Sequence, residues 1–173
     1  MYYLSRISML RTILEIIYLL TILYLSLHYY RLILNVVKLR RQTKVSIGFN
    51  NKKLERAIRA HSNFCETVPF IVILSFVLYF NNLLIFATLS ILILSVGRTI
   101  HSKAISDVNE EITDRRKGMK LTLLSLAISF IGIVFYICKL IFFYYQASIY
   151  TTFLPQYFDY YSHLSVFYIR VFA

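Results

Sequence analysis

The stretch from Leu121 to Tyr144 reads LTLLSLAISFIGIVFYICKLIFFY and carries one charged residue, Lys139. A hydrocarbon layer about 30 Å thick takes roughly 20 helical residues to cross, so this run is long enough to span it. Three further apolar runs fall near Thr12 to Val37, Ala60 to Phe80 and Leu83 to Ile100. None alternates polar and apolar residues as a barrel strand does, and the only prolines are Pro69 and Pro155. Helices satisfy every backbone group inside lipid. The four runs therefore predict an all-α transmembrane four-helix bundle.

Composition agrees. Of 173 residues, 58% are hydrophobic and 16% charged, and the mean hydropathy is +0.64. That excludes a disordered chain and an ordinary soluble domain. The net charge of +11 comes from 19 Lys and Arg against 8 Asp and Glu. In a soluble protein it would point to nucleic acid. Here eight basic residues fall in the link Lys38 to Arg59, none around Asn81 and Asn82, and six between Arg98 and Lys120. Such clustering between spans marks topology, not a nucleic-acid partner, and places the first and third links in the cytoplasm with both termini opposite. The first run ends in Lys38, Leu39, Arg40 and Arg41 with no small-residue cleavage site, so it stays as a membrane helix and not a signal peptide. Cys65 and Cys138 supply neither a disulfide framework nor metal-ligand spacing. Residues 1–145 form the membrane domain, and 146–173, rich in Tyr and Phe around Pro155, an interfacial tail.

The second run has only a short clean apolar part, Val68 to Phe80, so spanning carries its helix back through Glu66, Asn63, His61 and Arg59. At about 100° per residue, Asn63 and Glu66 fall roughly 40° and −20° from Arg59, with Arg56 near 60° and Glu55 near −40°. They form one stripe, while His61 sits about 200° away with Cys65 a turn later. Arg98, His101, Ser102 and Ile105 share a face on the third helix, and Arg31, Asn35 and Lys38 share one on the first. Polar residues at this depth face a bundle interior or a watery cavity. Arg11 and Glu15 have the spacing of a local ion pair, and His28 and Lys139 read as packing or interfacial residues.

LERAIRAHSNFCETVP at Leu54 to Pro69, with VSIG at Val45 to Gly48, VGRTIH at Val96 to His101 and RRKGM at Arg115 to Met119, resembles the MAPEG superfamily. These are small trimeric membrane proteins of eicosanoid and glutathione metabolism, and the likeness is to their bacterial branch. The resemblance implies a homotrimer in a bacterial inner membrane, with glutathione as co-substrate and membrane lipid around it. It implies glutathione contacts from Lys38, Arg59, Asn63, Glu66, Arg98 and His101, and a catalytic cation at Arg115 or Arg116 near the thiol. The implied activity is a glutathione transferase or peroxidase acting on lipophilic electrophiles; the alternative is a non-catalytic structural or assembly protein keeping the motif as an ion-pair network. Ser62 stands where some eukaryotic members have Arg, and Ile105 where some have a ligand-contacting Tyr.

Glutathione has two carboxylates, one ammonium and a thiol. Lys38, Arg59 and Arg98 offer cations for the carboxylates and Glu66 an anion for the ammonium, with Arg suited to bidentate contacts.

Overall fold

The computed structural model describes the backbone of residues 2–109 and 112–153 and the side chains of 8–109 and 112–149. The described chain is four helices, α1 (Tyr2–Thr43), α2 (Lys52–Phe80), α3 (Leu84–Ser106) and α4 (Ile112–Phe153). Each contains a stretch long and apolar enough to cross a membrane. The chain is an all-α transmembrane four-helix bundle, as its apolar runs predict.

Each helix overruns its apolar core. α2 starts at Lys52 because Asn51 caps it: its backbone is extended and its side chain accepts the Leu54 N–H at 2.9 Å. The helix therefore carries Arg59, Asn63 and Glu66 in one continuous register. Pro69 lies inside α2 without ending it. α4 runs past Tyr144 to Phe153, and residues 154–173, the greater part of the expected interfacial tail, lie outside the described residues.

Helices consecutive in the chain run antiparallel. Tyr18 of α1 meets Ser75 of α2 at 3.2 Å and stacks on Tyr79, while Leu39 packs with Leu54 at the other end. Between them, Leu25, Leu32, Phe64, Ile71, Leu94 and Ile105 form the central core. Lipid tails are as apolar as these side chains, so burial alone does not drive helices together in a membrane; close packing and interhelical hydrogen bonds do. α3 and α4 use both. Ser90 Oγ lies 2.7 Å from Ser129 Oγ, and Ser125 Oγ donates to the Ser90 carbonyl at 2.8 Å. One end of this pair is closed by glycines. A Cβ on Gly118 would stand 2.6 Å from His101 Cβ and 2.8 Å from the Gly97 carbonyl, and one on Gly97 would stand 3.0 Å from the Gly118 carbonyl. The two backbones touch there, one turn from Arg98 and His101.

The outer faces are apolar: Leu19, Leu20 and Leu23 on α1 and Phe130, Ile131 and Val134 on α4 are exposed. This is the surface that lipid solvates. Arg11 Nε binds Glu15 at 2.9 Å, the expected local pair.

Candidate functional site

Arg98 and His101 are fully enclosed by the chain. The Gly97–Gly118 contact sets α4 directly against this part of α3. Arg98 Nη2 donates to His101 Nδ1 at 3.0 Å. Arg98 Nε and Nη1 meet no hydrogen-bond partner among the described residues, and the carboxylate whose charge reaches the guanidinium is Glu66. Enclosing a cation with spare donors costs several kcal/mol.

Beside it, the start of α2, the end of α3 and the start of α4 enclose an open cleft of about 620 Å³, within the range of small-molecule sites. It is lined by Lys52, Glu55, Arg56, Arg59, Asn63, Ile105, Val108 and Arg115. Among the described residues, four cations and one carboxylate line it, a set able to hold an anion. Two of the polar groups are held in place. Arg56 Nε donates to the Ile105 carbonyl at 2.8 Å, tying α2 to α3, and Asn63 Nδ2 donates to the Arg59 carbonyl at 2.9 Å.

The expected site residues thus fall into three groups. Arg59, Asn63 and Arg115 come together in the cleft. Arg98 and His101 pair inside the bundle. Lys38, Glu66 and Arg116 are exposed and line no part of the cleft; Lys38 shares an outward face of α1 with Arg31 and Asn35. What α1 brings to the third-helix stripe is His28, whose Nε2 lies 2.8 Å from Ser102 Oγ and whose ring tilts against Phe64. His61 lies off the stripe, stacked on Tyr29 with ring centroids 5.5 Å apart and its Nε2 3.6 Å from Cys65 Sγ.

Lys52 was not among the expected residues, although its position seven residues before Arg59 puts it about 20° from that side chain on the helical wheel. Val108, in the link after α3, has no periodic signal. Among the described residues no three His, Cys, Asp or Glu side chains gather as a metal site. A family model, that of the MAPEG family, matches residues 18–135, a span that includes every residue of the three groups. None of the curated proteins matches the chain.

Proposed function

The chain belongs to the MAPEG family, and from that premise we propose that it binds glutathione in the cleft between α2, α3 and α4 and transfers it to lipophilic electrophiles that arrive through the bilayer. The observation that carries this proposal is the cleft's make-up among the described residues: Arg59, Arg115, Lys52, Arg56, Glu55 and Asn63 in about 620 Å³. Arg59 and Arg115 hold the glutathione carboxylates, and Glu55 and Glu66 are the carboxylates on the same helix face available to its ammonium. A free thiol of this type has a pKa near 8.5, and neighbouring cations lower such values to about 3.5–7.5. The thiolate then attacks the electrophilic carbon; an S–C bond forms and the leaving group departs with its electron pair. With a lipid hydroperoxide, two glutathiones become the disulfide as the hydroperoxide is reduced to alcohol and water.

The site is shared between copies in a homotrimer. Arg31 lies six residues before the end of the first apolar run at Val37, roughly 9 Å into the span, and is exposed on the chain surface with Asn35 and Lys38. A cation facing lipid at that depth is costly, so a second copy covers this stripe and brings Lys38 toward the cleft of its neighbour. The membrane is a bacterial inner membrane, with the first and third links cytoplasmic.

Titrating the detergent-solubilised protein with glutathione tests this function. Saturable binding is expected, reduced at least tenfold by Arg59→Ala, since a hydrogen bond to a charged group contributes about 1.5–3 kcal/mol. Absence of saturable binding leaves the alternative, a structural protein with the same residues as an ion-pair network. In a background lacking Cys65 and Cys138, single cysteines at Asn51 and Asn109 label from the cytoplasmic side and one at Asn82 from the other.

A further inference from the structure

The link between α1 and α2 has a chemistry that the cleft does not use. From Lys38 to Lys53 the chain holds six cations and no carboxylate. Its tip, by contrast, is apolar: Ile47 is 90% exposed and Phe49 56%. The link is also built to a fixed shape. Arg40 Nη1 donates to the carbonyls of Ser46 at 2.8 Å, Gly48 at 3.3 Å and Val45 at 3.4 Å, closing the loop on the end of α1. Gly48 turns the chain at φ 75°, a conformation that costs glycine little. One cation is thus spent on shaping the loop while its neighbours stay exposed.

Position limits what this tip can meet. The apolar runs end at Val37 and resume at Ala60, and Arg40, only three residues or about 4.5 Å beyond Val37, holds the Val45, Ser46 and Gly48 carbonyls, which keeps the tip carrying Ile47 and Phe49 close to the membrane surface. Two large apolar side chains held outward at that height face the headgroup layer of their own bilayer. Apolar groups ringed by Lys and Arg are the composition of segments that lie in an anionic interface. A soluble acidic partner would explain the cations but not the apolar tip.

We propose that the α1–α2 link is a membrane-surface anchor, with Ile47 and Phe49 seated in the headgroup layer and Arg41, Lys44 and Lys53 binding the phosphates of anionic lipid. This does not depend on glutathione or on the cleft.

The protein contains no tryptophan, so Phe49→Trp and, as a second reporter at an open position, Ile47→Trp each introduce one indole. Each full-length variant is reconstituted into vesicles of phosphatidylcholine with or without phosphatidylglycerol, after its helicity and oligomer size are matched to the parent. The expected result is blue-shifted emission quenched by brominated lipid, with brominated phosphatidylglycerol several-fold more effective than brominated phosphatidylcholine at equal mole fraction. Adding Arg41→Gln, Lys44→Gln and Lys53→Gln brings the two lipids to parity, since each cation near an anionic surface contributes about a fivefold preference. Two results overturn the proposal. Emission as in water, quenched by iodide and not by lipid, means that the tip stands clear of the bilayer. Blue-shifted emission indifferent to brominated lipid means that a neighbouring protein surface covers it.

Discussion

Arg98 and Arg59 lie at the same end of the bundle on adjacent helices, yet one is wholly enclosed and the other is exposed. The difference comes from what packs against each. Arg98 follows Gly97, where α3 and α4 meet backbone to backbone, and the chain closes over it. Arg59 projects from the face of α2 that opens on the cleft, where only the ends of α3 and α4 stand opposite. The inner pair is therefore closed off within one chain, and the cleft is open. Substitutions at the glycine contact beside Arg98 act first through packing, and substitutions around Arg59 act first through binding.

The largest effect is expected at the glycine contact that separates the two regions. Gly118→Val places side-chain atoms where even a Cβ would lie 2.6 Å from His101 Cβ and 2.7 Å from its backbone N. Backbone cannot give way as a side chain can, so the loss is at the upper end of overpacking, about 3 kcal/mol, read from thermal unfolding in detergent. Gly132→Ala is the control. Its Cβ would meet the two methyl ends of Leu78 at 3.0 Å, which can rotate away, and Phe86 Cβ at 3.1 Å, which need give only a few tenths of an ångström, so stability should fall by about 1 kcal/mol. Equal losses at the two sites would show that the glycine contact does not set the α3–α4 distance.

Next comes Arg98→Met, which removes the enclosed charge but keeps much of its volume. Replacing a buried charge with a packed apolar side chain is often neutral or stabilising. Unfolding should therefore stay within about 1 kcal/mol of the parent or improve, while glutathione affinity falls because a positive charge beside the anion-binding cleft is removed. A loss of 3–5 kcal/mol, the usual result of breaking a buried pair, would instead make Arg98 a structural residue. The inner and outer regions would then differ in role as well as in burial.

The sequence shows much of this because a helix has a fixed period. The stripe of Arg56, Arg59 and Asn63, the separate wall of His61 and Cys65, and the Arg11–Glu15 pair all stand as 100° per residue predicts. A helical wheel fixes angles within one helix and says nothing of how that helix is turned toward its neighbours. Arg31, Asn35 and Lys38 do share a face, but it points out of the chain, and His28 is the residue that reaches α3. Ser90, Ser125 and Ser129 escaped notice for the same reason: serines in an apolar run read alike whether they face lipid or another helix.

Arg115 and Arg116 were equivalent in sequence, and the structure separates them, with Arg115 lining the cleft and Arg116 exposed outside it. Thiolate absorbance of bound glutathione, followed against pH, sharpens the comparison. A cation within about 4–6 Å lowers an acid's pKa by one to three units. Removing it raises the thiol pKa, so with Arg115→Ala the thiolate signal appears about one unit higher in pH and is weaker at neutrality. Arg116→Ala should leave the midpoint unchanged. The reverse order would mean that α4 is turned about 100° from the register described.

His61→Ala is expected to do least, and it tests whether α2 has two walls. His61 sits about 200° around the helix from Arg59, in contact with Tyr29 and Cys65 and outside the cleft. Its ring stacks on Tyr29, and such pairs contribute about 0.5–1.5 kcal/mol beyond burial, so a stability loss near 1 kcal/mol is expected. Glutathione affinity should stay within about twofold, because no group in the cleft loses a partner; a twofold change is about 0.4 kcal/mol, below the 1.5–3 kcal/mol of one charged hydrogen bond. Asn63→Ala on the opposite wall gives the contrast, with affinity reduced about tenfold and little change in unfolding. Oligomer size is measured for both. If His61→Ala abolishes binding while the assembly keeps its size, the ligand touches both walls of α2, and the cleft at Arg59 is at most half of the site.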